Sequence, residues 1–509
     1  MARTLIRGWK VLASMIPEHV VDHGAVIVDD DRIEMVGDAG SLAEMGLFDM
    51  ELGSDDFIVM PGLVNAHYHN GSKFRAGHKD SPLELWLQAV HAGLDTEPAS
   101  MAYDLAQYSA CEMVKAGITC CLDNIPINQA EPDYGIEPTV RAYSDLGMRV
   151  AIAPMVSDQS TVVYGDDDEF LRSLPPMLAQ AIVESPIGNR GIRPDDYLRT
   201  MRSVFRRFDE SPEGTIRVVL CPHGEPWCSD AMLRKILAAA RDWGAGIHMH
   251  LLESKYQMQY AFRTRAMSAI EHLCELGILG EGVSCAHAVW LTDDDIKRFA
   301  DSGAIAVHNP SSNLRLGSGI ARVGDMLRGG VKVAVGTDGM SIGGANDLLS
   351  DLRLADLLQR VPGLRSPRVS PRTWLHAATQ AGADATFFGD MIGTLEPGKR
   401  ADITLVSRRR MFTPYVNDAM PIMDVLLHFA HGSDVSAVLV NGKLIMKDRR
   451  ILTIDEDALL QRLRRGFDMA LSLRKKGPSV ADDLIKQIEA FYSSWDNEPM
   501  VPGYVYNVR

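Results

Sequence analysis

The sequence predicts an α/β chain: a (β/α)8 TIM barrel with a small composite β-sandwich domain drawn from both ends. Three observations predict it. Between residues 60 and 390, short apolar strands alternate with helical stretches in about eight units, the texture of a parallel sheet with crossover helices. Strand-like alternation broken by turns fills the chain before residue 60 and returns after residue 390. The 509 residues exceed one minimal domain. They suit a barrel of ~250 residues or more plus something smaller.

The elements follow in order. "TLIRGWKVLA", "GAVIVDDDRIEMVGD" and "DFIVM" read as strands of the first end, residues 1–59. "PGLVNAHYHN" opens the barrel, assigned to 60–390. "MAYDLAQYSACEMVKAG" (101–117) places Met101, Leu105, Tyr108 and Cys111 at helical spacing. "ITCCLDN", "RVAIAPM", "IRVVLCPH", "AGIHMHLLE", "GVSCAHAV", "GAIAVHNP" and "VKVAVGTDG" then follow as short apolar strands. The polar, helix-rich stretch at about 157–215 is too long for a βα loop and reads as an insertion, either a lid, a subunit contact or a plain excursion. "GTLEPGKRADITLVS" and "VSAVLVNGKLIMKD", within 391–452, restore strand texture, so the two ends are expected to meet in one β domain. Residues 453–509 read as a charged helical tail.

Composition narrows the function. With 46% hydrophobic and 23% charged residues, the chain has an ordinary globular composition. A formal net charge of -15 argues against nucleic acid as a main partner, because phosphate binding needs a basic face. No stretch approaches the ~20 apolar residues of a membrane helix. Seven cysteines without a CxxC pair predict reduced thiols in a cytoplasmic protein. "MARTLIRGWKVL" lacks the features of a signal peptide.

The chemistry begins with His67 and His69. Residues i and i+2 of a strand point to one side, and this pair ends a strand, where a barrel places its active site. Alone, such a pair is as consistent with surface or core histidines. Three more strand ends carry related residues. His248 and His250 share a face, so alternation does not choose between them; His250 is nearer the strand end and is the stronger ligand candidate. Glu253 follows three residues on, His287 ends "VSCAH", and Asp338 ends "VKVAVGTD". Three imidazoles and a carboxylate suit Zn²⁺, with Fe²⁺ as the alternative. Glu253, His287 and Asp338 are candidates for moving protons around a metal-bound water. Trp86, His91, Asn124 and Trp227 occupy strand ends or βα loops, where aromatics stack on flat substrates or simply pack. His308 and Asn309 read as a pocket wall or as a turn in which Ser312 and Asn313 satisfy backbone groups. His78, His272, His376, His428 and His431 match no motif.

In this order, "PGLVNAHYHN", His250-x-x-Glu253, "AHAVWL", "HNPSSNLRLGSG" and "VGTDG" resemble the amidohydrolase superfamily. The nearest likeness is to its aminohydrolase and chlorohydrolase branch, which includes methylthioadenosine/S-adenosylhomocysteine, guanine and cytosine deaminases and triazine hydrolases. The resemblance covers about residues 4–450. It implies metal ligation by His67, His69, His250 and Asp338, proton shuttling by Glu253, and orientation of the attacking hydroxide by His287. It also implies substrate contact at His223. "VVLCPHGEP" has no lysine where two-metal relatives carry one, so one divalent metal is expected.

The implied function is deamination of a nitrogen-containing heteroaromatic small molecule by hydroxide formed on the metal. Glu253 protonates the ring nitrogen and the leaving amine. Chloride needs no such proton, so Glu253 favours C–N over C–Cl cleavage. The alternatives are hydrolysis of another C–N bond (amide, urea or carbamate), ring dechlorination and, remotely, a non-catalytic scaffold. A homo-oligomer is expected. Where nucleoside deaminases of the branch carry an acidic residue for the ribose, "AGLDTEPAS" offers only Asp95 and Glu97 nearby, which leaves room for a different heterocycle.

Overall fold

The computed structural model describes residues 3–71, 81–91, 99–127, 135–160, 162–184, 191–209, 214–342, 344–417, 419–473 and 480–497. The acidic pair Asp95 and Glu97, together with His78, lies outside these residues, as does the side chain of His91. The strands are β1 (Arg3–Ser14), β2 (His19–Asp29), β3 (Arg32–Asp38), β4 (Met50–Pro61), β5 (Leu63–Tyr68), β6 (Ile118–Pro126) and β7 (Arg149–Val156). They continue as β8 (Ile216–Val218), β9 (Cys221–Pro222), β10 (Ile247–Leu251), β11 (Val283–His287), β12 (Ile305–His308) and β13 (Lys332–Val335). The last four are β14 (Ile403–Ser407), β15 (Val435–Val440), β16 (Lys443–Lys447) and β17 (Arg450–Ile451).

Strands from both ends of the chain share one sheet, ordered β17-β16-β15-β14-β4-β1-β2-β3. The expectation was a sandwich. In its hydrogen bonding, however, this is a single eight-stranded sheet, because β4 pairs with β1 on one side and with β14 on the other. The intervening strands are parallel. β5-β6-β7-β8 form one run with β9 beside β7, and β10-β11-β12-β13 form another. Single parallel bridges join the runs at two places, Tyr68 to Asp338 and Leu220 to Ile247, with Gly224 to His250 beside the latter.

Helices connect these strands, and their sequences explain their limits. The helix Asp230–Trp243 starts at Ser229, whose side chain accepts the Met232 N–H, and stops at Gly244 in the left-handed region. It buries Met232, Leu233, Ile236, Ala239 and Ala240, one face at helical spacing. The helix Asp293–Ser302 opens on a reciprocal capping box between Thr292 and Asp295. Strands β5, β10, β11 and β12 are buried along their whole length, as strands covered on both faces must be.

Among the described residues, the stretch at 157–215 folds into the helices Asp167–Ser173, Pro176–Val183 and Pro194–Phe208. The tail supplies the helices Glu456–Leu473 and Val480–Ser493. These two parts share an apolar cluster: Tyr164, Phe170 and Ile182 pack with Leu484, Ile488, Tyr492 and Trp495. No described helix is long and apolar enough to cross a membrane.

A buried ion pair ties β7 to the end sheet. Arg149 donates from Nε and Nη2 to Asp402 at 3.0 and 2.9 Å, and from Nη1 to the Gly214 carbonyl at 2.6 Å. Both side chains are almost fully buried. Removing one partner leaves the other charge without compensation. Asp402→Ala is therefore expected to lower the unfolding free energy by about 3–5 kcal/mol in urea titrations, and a loss below about 1 kcal/mol would contradict this.

A candidate metal centre at the strand ends

The site is built where the end of β5 packs on the segment following β13. The Asn65 side chain donates to Thr337 Oγ1 at 2.8 Å and accepts the Thr337 N–H at 3.0 Å. The Asp338 N–H reaches the His67 carbonyl at 3.1 Å, and the His69 N–H reaches the Asp338 carbonyl at 2.6 Å. Gly336 permits the approach, because a Cβ there would meet the His67 backbone N and O at 2.8 Å each. Asp338 itself has φ +64°, a region aspartate tolerates better than most residues. That turn carries its carboxylate back over the histidines.

Four side chains converge there. Asp338 Oδ1 is 3.5 Å from His67 Nε2 and 3.4 Å from His69 Nε2, and His69 Nε2 is 3.3 Å from His250 Nε2. The other ring nitrogens are committed elsewhere. His69 Nδ1 lies 2.9 Å from the Asn124 carbonyl, and His250 Nδ1 lies 2.9 Å from the His223 carbonyl. Donation at Nδ1 leaves a lone pair on each Nε2. His67 Nδ1 is 2.9 Å from His248 Nε2, and His248 Nδ1 is 2.7 Å from Ser284 Oγ. His67 Nε2, turned toward Asp338, is buried and has no hydrogen-bond partner among the described residues.

The electrostatics match a cation-binding donor set. Burial pushes His67 down to about 3 and drives His250 and His248 well below the ordinary imidazole value. Burial acts upward on Asp338, but its contacts with His67 first, then His69 and His287, hold its carboxyl below the usual range. Clustered imidazoles around a carboxylate held in its ionised form, with one buried ring nitrogen lacking a hydrogen-bond partner, fit a divalent cation. His67, His250 and His287 also place ligand atoms within 4.8 Å of one another, as do His67, His69 and Asp338.

Beside this cluster, Glu253 Oε2 lies 3.5 Å from His287 Nε2. Burial, then the charges of Asp338 and Glu84, push the Glu253 carboxyl well above the ordinary range, against the Ser318 hydroxyl. These surroundings favour the protonated form of Glu253. His287, at φ +75°, faces Asn313 Oδ1 through Nδ1 at 2.8 Å, which leaves Nε2 as an acceptor. Burial keeps that ring neutral, against Asp338 and Asn313.

The amidohydrolase family profile matches residues 58–445. The chain belongs to the amidohydrolase family. It is 29% identical over 456 residues to a 5′-deoxyadenosine deaminase of Methanopyrus kandleri, covering 88% of this chain and 95% of that protein. Its fold is similar to the zinc-bound structure of a Xanthomonas campestris adenosine deaminase, with TM-score 0.78, 24% identity, and 92% and 99% of the two chains covered. It is also similar to the atrazine chlorohydrolase of Arthrobacter aurescens in complex with zinc, with TM-score 0.78, 24% identity, and 91% and 99% covered.

Within this amidohydrolase, the other expected residues separate into groups. His223 stacks on Trp227 at 4.1 Å with 10° between the rings, and contacts the His250 ring at 5.2 Å. Both therefore flank the histidine cluster. His308 is buried near His287, with both ring nitrogens lacking a hydrogen-bond partner among the described residues. Asn309 Nδ2 is 3.4 Å from His287 Nδ1. Asn124 is engaged otherwise: its side-chain amide lies 2.9 Å from His67 Nδ1 while its carbonyl faces His69, so it braces the histidines. Trp86 packs with Leu83, Leu316 and Ile342 in a separate apolar cluster.

Two residues read from sequence as backbone braces do something else. The Ser312 hydroxyl donates to Asp338 Oδ2, and Asn313 holds His287. Both belong to the one-turn helix Pro310–Arg315, which aims them at neighbouring strand ends. The Glu253 partner Gln257, and Ser284 behind His248, are further site residues that no motif marked, while Ser318, near the Glu253 carboxyl, lies within "HNPSSNLRLGSG" without having been assigned a role.

The approach at Gly336 gives a sharp expectation. Gly336→Ala sets a methyl against backbone that cannot yield and is expected to destabilise the protein by about 1–3 kcal/mol in denaturant titrations. An unchanged transition midpoint would contradict the packing described.

Proposed function

We propose that this amidohydrolase deaminates a nitrogen-containing heteroaromatic small molecule, with His67, His69, His250 and Asp338 holding one divalent ion. The observation that carries the reading is a buried Glu253 carboxyl 3.5 Å from His287 Nε2 beside a His/Asp cluster. Zn²⁺ is the first choice of ion and Fe²⁺ the second; such an ion supplies Lewis acidity that lowers the pKa of a bound water to around 7.

The side chains then divide the proton work. His287 Nε2, its Nδ1 committed to Asn313, accepts a hydrogen bond from the attacking water and so orients it. Asp338 accepts the proton that water loses as it adds to the ring carbon. Glu253 gives its own proton to the adjacent ring nitrogen, then recovers the water proton and passes it to the departing amine. The proton on the added hydroxyl returns to Glu253 as the C=O forms, so the oxygen and one net proton stay with the ring, and ammonia leaves. His223, Trp227, His308 and Asn309 line the substrate side.

The same reading covers the architecture and setting. In this reading the parallel strands form an eight-stranded barrel, with β8 and β9 as one interrupted strand, and the bridges at Tyr68–Asp338 and Leu220–Ile247 support its closure. Residues 1–59 and 391–452 make a composite β domain, 60–390 the barrel and 453–509 a helical tail. Seven free cysteines fit a reducing cytoplasmic setting. The enzyme is a homo-oligomer in this reading.

Released ammonia tests the reaction. A panel of amino-substituted purines, pyrimidines, pterins and triazines, with 5′-deoxyadenosine first because of the Methanopyrus relative, is expected to contain a substrate that yields ammonia with one equivalent of metal bound. Chloride from a chlorotriazine, or amine and carbon dioxide from a urea, with no ammonia from any member, would favour the rival C–Cl or C–N cleavages. Glu253→Gln is expected to lower kcat by ~10²-fold or more with metal content intact, whereas His69→Ala is expected to lose the metal. Full turnover in the first variant, or full metal content in the second, would remove the assigned role.

A further inference from the structure

Glu84 is a buried carboxyl that the chemistry above leaves unused. It lies in the helix Leu83–His91 and is 6% exposed. The Ser254 hydroxyl donates to its Oε1, and the Tyr164 side chain interacts with the same carboxyl. Ser254 follows Glu253 directly. The Glu253 N–H donates to Gln257 Oε1 at 2.9 Å, and Gln257 Nε2 donates to the Tyr164 hydroxyl at 3.2 Å. The contacts therefore close a ring running Glu84, Ser254, Glu253, Gln257, Tyr164 and back to Glu84.

The Glu253 carboxyl needs such a frame. Its polar side-chain contacts, Ser318 Oγ at 3.4 Å and His287 Nε2 at 3.5 Å, are long. β10 has ended at Leu251, and Leu252 turns through φ +46°. The aim of the carboxyl is consequently set through its backbone. Ser254 accepts the Gln257 N–H at 3.4 Å to cap the next helix, Lys255–Arg265, so the two residues gripped by the ring also fix the start of that helix. From outside, the Tyr492 hydroxyl accepts the Tyr164 N–H at 2.8 Å. The C-terminal helix thus holds Tyr164 against the ring.

We propose that Glu84 is a positioning residue for Glu253, acting through Ser254 on one side and through Tyr164 and Gln257 on the other without touching substrate. This rests on the proton-transfer role of Glu253. A proton donor displaced by a fraction of an ångström loses rate while substrate binding persists.

Glu84→Gln and Tyr164→Phe keep side-chain volume while removing an acceptor and a hydroxyl. Steady-state kinetics on the best substrate of the heteroaromatic panel, with metal content measured on the same samples, read the effect. Each variant is expected to lose ~10-fold or more in kcat with KM changed by less than about threefold and metal intact. The double variant is expected to be no slower than the slower single one, since both act through one frame. A kcat within about twofold of wild type in both variants overturns the proposal, as does loss confined to KM, loss of metal, or additive losses in the double variant. If Glu84→Gln fails to fold, Tyr164→Phe, whose ring keeps its packing against Trp227 and Tyr492, decides alone. Turnover persisting in Glu253→Gln would remove the role of Glu253 itself. An inactive Glu253→Gln beside fully active Glu84→Gln and Tyr164→Phe would remove only the positioning.

Discussion

The packing of the β5 end on the turn after β13 is the constraint from which the rest of the site follows. Backbone hydrogen bonds run from Asp338 to His67 and from His69 back to Asp338. They set two imidazoles and a carboxylate face to face before any side-chain rotamer is chosen. Such an arrangement is costly without a cation, because it collects polar atoms where water has little access. The fold tolerates it because the far sides of the rings are satisfied: Asn124, His248 and the His223 carbonyl take the remaining nitrogens.

The two acidic groups at the centre are pushed in opposite directions by their surroundings. Asp338 is surrounded by histidines and by the Ser312 hydroxyl, which favour its charged form. Glu253 is only a few ångströms away from His287, yet its burial and the charges of Asp338 and Glu84 favour the protonated form. A site that pairs a fixed anion with a fixed acid separates cation binding from proton delivery, and hydrolytic removal of a poor leaving group needs both.

The sequence carried much of this, for physical reasons. His67, His69, His250, His287 and Asp338 were legible because each ends an apolar strand, and a parallel barrel directs strand ends to one place. The supporting contacts were not. Asn124 and His67 are 57 residues apart, and Ser312 and Asp338 are 26 apart; only strand register brings them together. Alternation likewise shows that β4 and β14 are strands without saying that they pair. The ring around Glu84 joins residues from the helix Leu83–His91, the long stretch after β7 and the loop after β10. Tyr492 reaches Tyr164 across 328 residues. No local pattern reports contacts of that range.

Anomalous diffraction at the zinc edge, from crystals grown with Zn²⁺, tests the central claim most directly. A single peak at ~2.0–2.3 Å from Nε2 of His67, His69 and His250 and from a carboxylate oxygen of Asp338 is the predicted result. A peak held by other residues, or none at these four with zinc in excess, would contradict the account.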